Sequence, residues 1–160
     1  MKISIVDSGA GNLKSIVNFF QRNYKCSIDV FTNPSNTLVE SDLLVLPGVG
    51  HFGHAIKNIR ANCMDVSIND FSASGKPIIG ICLGAQLLTN SSEEAKGVKG
   101  LGLINARCLS LNKHPKYNEN IPRVGWSGIL GSKSESYYFV HSYYIDVLDN
   151  STKVTYCYDG

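Results

Sequence analysis

Residues 3–6, 28–31, 43–46 and 78–81 are four short, mostly apolar runs, and the stretches between them carry apolar residues at helical spacing. A run that is apolar at nearly every position has to be buried on both faces. Parallel strands covered by crossover helices meet that demand, whereas an antiparallel sheet with one solvated face does not. The first run ends at Asp7-Ser8-Gly9, after which Leu13, Ile16, Val17 and Phe20 recur at i, i+3, i+4 and i+7, one face of a helix. Asn33-Pro34 stops the second run and Pro47-Gly48 closes the third, and Ala55, Ile56 and Ile59 begin another helical face. The fourth run leads straight into residues 83–88, the start of a helix packed behind it.

The second half has a different texture. Gly97, Gly100 and Gly102 mark loops, and residues 112–122 are polar with two prolines. Residues 137–140, 143–147 and 153–158 are aromatic and β-branched, the pattern of hairpin-like antiparallel strands. The fold predicted is α/β: a three-layer, mostly parallel sheet with helices on both faces, plus a β-rich antiparallel C-terminal part. At 160 residues it forms one domain, 1–160, large enough for a core of its own.

A net charge of +2 with scattered basic residues gives no stripe to track a phosphate backbone, so nucleic acid is excluded as partner. No apolar run approaches the ~20 residues of a membrane span, and Asp7 interrupts the first run too early for a signal peptide. The five cysteines are widely spaced with no Cys-x-x-Cys, which suggests neither a zinc site nor a disulfide framework; reduced thiols in a cytoplasmic protein are the plain reading.

The segment richest in chemistry is Gly80-Ile81-Cys82-Leu83-Gly84-Ala85-Gln86. A strand turns into a helix with a cysteine at the corner and glycine two residues to either side, a nucleophile elbow of G-x-C-x-G form. Glycine is favoured on both flanks because so tight a turn leaves no room for side chains. A helix N-terminus favours thiolate over thiol, and the Leu83 N–H points where an oxyanion would develop. The competing reading is a buried cysteine packed beside small residues; the two glycines and the strand-to-helix context favour the elbow. A second glycine-rich stretch, Pro47-Gly48-Val49-Gly50-His51-Phe52-Gly53, follows the third strand. It lets a backbone N–H face a ligand at the carboxyl end of the sheet, where ligands of such folds bind. A turn with glycines for geometry alone is the bland alternative.

Together with Ser91-Ser92-Glu93-Glu94, Tyr138-Phe139-Val140-His141-Ser142-Tyr143-Tyr144, the opening Asp7-Ser8-Gly9-Ala10-Gly11-Asn12-Leu13 and the central Gly125-Trp126, these motifs resemble the class I, triad-type glutamine amidotransferases. Within them they are most similar to the glutaminase subunits of imidazole glycerol phosphate synthases, over nearly the whole chain. The resemblance implies that Cys82 attacks the side-chain amide of glutamine, with Leu83 and Val49 as the backbone N–H groups of an oxyanion hole. It implies that Gln86 and Glu94 hold the amino end of the substrate, and that Gly48, Gly50, His141, Ser142 and Tyr143 line the rest. It further implies ammonia transfer to a synthase (cyclase) subunit of (β/α)₈-barrel type in a heterodimer, for histidine biosynthesis, with no metal or organic cofactor.

Two departures stand out. The family's base is a histidine in a His-Pro-Glu segment, and none of His51, His54, His114 and His141 has glutamate two residues on. The expectation is that the domain lacks its C-terminal end, where the base and its glutamate would lie; a subunit that binds glutamine without hydrolysing it is the alternative. Arg123 and Ser127 also stand where the subfamily has histidine and asparagine. That leaves open a paralogous glutaminase serving a sugar-amidating synthase in surface-polysaccharide biosynthesis. Gly9-Ala10-Gly11 lacks the third glycine of a dinucleotide fingerprint and is read as a tight turn.

Overall fold

The computed structural model describes residues 1–9, 11–115, 117–129, 135–150 and 153. Its first half runs β1 (Lys2–Val6), α1 (Leu13–Asn23), β2 (Ser27–Phe31), β3 (Leu43–Gly48), α2 (Phe52–Ala61), α3 (Met64–Ala73), β4 (Ile78–Cys82) and α4 (Leu83–Leu87). The four strands make one parallel sheet in the order β2-β1-β3-β4. Because the chain moves one way from β1 to β2 and the other way from β1 to β3 and β4, right-handed crossovers place α1 on one face and α2 and α3 on the other. The change of direction opens a crevice at the carboxyl ends of β1 and β3.

Strand alternation divides the core between the two faces. Ile3, Ile5, Leu43 and Val45 pack with Phe20 and the Leu13, Ile16, Val17 side of α1. Val6, Leu44 and Leu46 pack with Phe52, Ile56 and Ile59 of α2 and Ile68 and Phe71 of α3. Each such side chain, fully buried, contributes roughly 1.5–3 kcal/mol by leaving water.

The expected α/β architecture is the one observed, with three differences in detail. Pro47-Gly48 does not close β3: the strand continues through both, pairing with Ile81 and Cys82 of β4. Proline is tolerated there because β1 stops pairing with β3 at Val45 and leaves that side of the strand without a ladder. The second difference is α3, for which the sequence analysis gives no helix. Met64, Ser67, Ile68 and Phe71 are buried at i, i+3, i+4 and i+7, but the break before them is Cys63 at φ 52°, a left-handed turn with no glycine to announce it. The third lies in the C-terminal half. Residues 137–140 and 143–147 fall in β8 (Ser136–His141) and β9 (Tyr143–Val147), yet they do not pair with each other. β8 pairs antiparallel with β7 (Arg123–Gly128), and β9 pairs antiparallel with β6 (Ala106–Ser110), which also takes the two-residue β5 (Ser91–Ser92). β6 and β7 escaped notice because Arg107, Arg123 and Gly125 break the apolar pattern. The run at 153–158 lies, apart from Lys153, outside the described residues.

One polar pair sits inside the core. The hydroxyls of Ser4 on β1 and Ser41 before β3 are 2.6 Å apart, and neither residue is exposed. Replacing one by alanine strands the other, at about 1–3 kcal/mol, whereas removing both leaves no orphan. In urea denaturation we therefore expect Ser4→Ala and Ser41→Ala each to be destabilising and the double variant to cost clearly less than their sum.

Candidate active site

β4 passes into α4 without a connecting residue: Cys82 is the last residue of the strand and the N-cap of the helix. The turn forces Cys82 to φ 54°, ψ −116°, a conformation that costs a non-glycine residue about 1–3 kcal/mol. Both flanking glycines are steric necessities. A Cβ at Gly80 would lie 2.5 Å from the Ala85 Cα, and one at Gly84 would lie 1.7 Å from the Leu46 carbonyl oxygen. The turn buries Leu83 to 2% exposure and leaves Cys82 exposed, so the thiol is presented while its neighbour anchors the helix. The helix that follows has only five residues.

The glycine-rich stretch after β3 begins beside this turn. Gly48 is the cross-strand partner of Cys82, and a Cβ on it would be 3.2 Å from the Leu83 Cβ and 3.3 Å from the Gly84 nitrogen. Val49, 55% exposed, and Gly50, at φ 103°, then carry the chain out to His51. His51 caps α2 through its side chain, Nδ1 accepting the Gly53 N–H at 3.0 Å. Glu94 reaches the same helix end, where its Oε2 accepts the Phe52 N–H at 2.6 Å.

Glu93 and Glu94, adjacent in the chain, have separate environments. Glu93 accepts the Ser110 N–H at 3.0 Å and pairs with the Lys113 ammonium. The Lys113 hydrogen bond, followed by that from Ser110, holds its carboxyl below the usual range. It thus ties the 93–95 turn to the end of β6 and does not face the thiol.

A groove of about 710 Å³ opens at Cys82, within the range of small-molecule sites. Cys82 and Gln86 form part of its wall, and His141 and Tyr143, where β8 gives way to β9, form another. His141 Nδ1 lies 2.9 Å from the Tyr143 carbonyl oxygen. Burial, then the charges of Glu94 and Glu93, push the Tyr143 phenol above its ordinary value. Ser142 is not part of the wall; its carbonyl accepts the Leu111 N–H at 2.9 Å. The structure therefore gathers Cys82, Gln86, His141 and Tyr143 in one groove, sets Gly48 and Leu83 against the elbow, leaves Val49 and Gly50 in the adjacent loop, and places Glu94 at the base of that loop.

Much of the wall comes from residues that the sequence does not mark as site residues, Arg123, His114 and Tyr117 among them. Arg123 is 8% exposed with its guanidinium 4.4 Å from the Phe139 ring centre, and His114 stands edge-on to Tyr144 at 4.8 Å. Tyr117, buried, comes from the same stretch as His114. A tyrosine in an otherwise polar segment was the available signal. Among the described residues no group of three or more His, Cys, Asp or Glu is arranged to hold a metal, and no helix is long and apolar enough to cross a membrane.

A family model described as class-I glutamine amidotransferase matches residues 4–159. The chain is 37% identical to the imidazole glycerol phosphate synthase subunit HisH 1 of Methanococcus maripaludis, over 96% of this chain and 82% of that protein. It is 34% identical to subunit HisH of Thermotoga maritima, over 100% of this chain and 80% of that protein. A solved structure described as a glutamine amidotransferase shares the fold, with a TM-score of 0.63 and 14% identity over 88% of this chain and 70% of that one.

Two outcomes test this geometry. Glycine accepts the Cys82 backbone conformation more readily than alanine, so Cys82→Gly should be more stable than Cys82→Ala by about 1 kcal/mol in thermal or urea unfolding. Because the Glu93 pKa is lowered on folding, its stabilising contribution is complete above its unfolded value, about pH 4.3, and lost as pH falls through the lower folded value. The stabilities of wild type and Glu93→Gln should differ at neutral pH and converge in acid.

Proposed function

The chain belongs to the class-I glutamine amidotransferase family, and on that footing we propose that it is the glutaminase subunit of an imidazole glycerol phosphate synthase, serving histidine biosynthesis in the cytoplasm. The Cys82 sulfur attacks the side-chain amide carbon of glutamine, and the resulting oxyanion is held by the N–H groups of Leu83 and Val49. Collapse breaks the C–N bond and releases ammonia, which takes up a proton as it leaves. Water then cleaves the thioester to glutamate and restores the thiol. Gln86 and Glu94 orient the amino end of the substrate, Gly48, Gly50, His141 and Tyr143 border it, and Ser142 supports that border from behind through its carbonyl on Leu111.

The observation that carries this reading is the pairing of Gly48 with Cys82. It sets an exposed thiol next to a glycine-containing loop whose backbone can turn an N–H toward it. The proton acceptor is assigned by the family pattern to a His-Pro-Glu segment, which residues 1–160 do not contain.

Delivery of ammonia needs a synthase subunit, proposed here to be a (β/α)₈ barrel in a heterodimer. The β7–β8 ribbon supports that partnership. It turns Arg123 and Ser127 inward and exposes Val124, Trp126, Tyr138 and Val140, with Trp126 72% exposed and paired edge-on with Tyr138 across the strands. This apolar ladder, of which Tyr138 and Val140 also line the groove, has the composition of a docking face.

The test uses the gene product as encoded, together with its synthase subunit. Glutamate release should be lost in Cys82→Ala by more than about a thousandfold. A diazoketone analogue of glutamine should alkylate wild type at Cys82, read by peptide mass spectrometry. Turnover surviving in Cys82→Ala, or the label landing on another residue, would remove Cys82 from its role.

A further inference from the structure

The loop that faces Cys82 is held at two points. At one end Gly48 is fixed by the β3–β4 ladder, opposite Cys82. At the other end Phe52, fully buried, begins α2, and its N–H is taken by the Glu94 carboxylate at 2.6 Å. Only Val49, Gly50 and His51 lie between, and all three are exposed. Packing therefore does little to orient their peptide groups, and Gly50 at φ 103° has the freedom glycine brings. What holds the loop is the pair of anchors and, between them, His51, whose Nδ1 accepts the Gly53 N–H and whose carbonyl accepts the Ala55 N–H.

The anchor at Phe52 is a charged acceptor on the first free donor of a helix, where the exposed N–H groups and the helix dipole both favour an anion. The turn that carries Glu94 is also seated tightly on α2. A Cβ at Gly53 would lie 3.0 Å from the Ala95 Cβ and 3.2 Å from the His51 ring, so residue 53 is glycine to let turn and helix meet. The turn is pinned from its other side by Glu93 on Ser110 and Lys113. Oε1 of Glu94 has no hydrogen-bond partner among the described residues.

We propose that Glu94 is a positioning residue for the oxyanion loop as well as a contact for the substrate: Oε2, by holding the Phe52 N–H, fixes the Val49–Gly50 peptide relative to Cys82, while Oε1 meets the α-ammonium of glutamine. The inference rests on the glutaminase reading above and deepens it, because one carboxylate then couples recognition of the amino end to the geometry that stabilises the transition state. Glutamine at this position keeps an oxygen acceptor of the same reach without the charge. Aspartate keeps the charge but is one methylene too short for Phe52.

The experiment measures glutamine turnover by the synthase complex, and amide hydrogen exchange at Phe52 in the unliganded protein, for wild type, Glu94→Gln, Glu94→Asp and Glu94→Ala. Glu94→Gln should raise KM about tenfold with kcat within about threefold of wild type, and should keep Phe52 protected. Glu94→Asp and Glu94→Ala should lower kcat about tenfold or more, with exchange at Phe52 at least about tenfold faster. Wild-type kcat and wild-type exchange at Phe52 in Glu94→Asp would overturn the proposal, and so would equal kcat in Glu94→Gln and Glu94→Ala. Exchange that responds as expected while no protein, wild type included, turns over glutamine overturns the glutaminase reading instead, since the exchange arm needs no catalysis.

Discussion

The contact between Gly84 and the Leu46 carbonyl governs the geometry of the groove. With no side chain at position 84, the first turn of α4 lies directly on the backbone of β3. That seating leaves no slack between β4 and its helix, so the chain must reverse at a single residue, and Cys82 takes a backbone conformation that its own Cβ disfavours. The cost is met by what surrounds it. Leu83 and Leu87 enter the same apolar cluster as Leu44, Leu46, Phe52 and Phe71, and burial of that set outweighs one strained turn. The thiol is thus exposed because its neighbours are not.

The same seating explains why the loop after β3 belongs to the site. β3 extends through Pro47 to Gly48 in register with Ile81 and Cys82, so the last paired residue of one strand abuts the cysteine of the other. Gly48 has to be small because Leu83 and Gly84 press on it, whereas Gly50 has to be glycine because of its φ. Two glycines that look alike in sequence answer to different constraints, one from packing and one from the backbone. Gly53 answers to a third, the approach of Ala95 and the His51 ring. The sequence reading took the whole trio as freedom for an N–H to face a ligand, which describes only the loop between them.

The parallel sheet was legible because each of its strands is an uninterrupted or nearly uninterrupted apolar run, and burial on both faces leaves that mark. The elbow was legible because sterics confine it to G-x-C-x-G. What stayed hidden obeys weaker rules. α3 begins after Cys63 in a left-handed conformation, a break that is ordinarily signalled by glycine or asparagine. β6 and β7 each carry an arginine within the strand, Arg107 paired with Asp146 and Arg123 set in the groove wall, and neither strand reads as apolar. The pairing of β8 with β7 and of β9 with β6 is set by long-range contacts between strands of similar composition, and local sequence does not encode such choices. His114 and Tyr117 reached the groove from a polar stretch for the same reason: their position follows from where β6 ends, not from their neighbours in the chain.

Glu93 and Glu94 show how adjacent residues of one type divide labour. The turn they occupy points consecutive side chains in different directions, one toward the end of β6 and one toward the start of α2. Glu93 meets a backbone N–H and a lysine, so its charge is compensated locally and its effect is to fix the turn. Glu94 meets one backbone N–H and no cation at hydrogen-bonding distance among the described residues, while its charge is felt by the phenol of Tyr143 and the thiol of Cys108. A carboxylate with one oxygen committed to the protein and net charge left over is suited to receive an ammonium group. Fixing the turn through the first glutamate is what gives the second a defined place from which to do so.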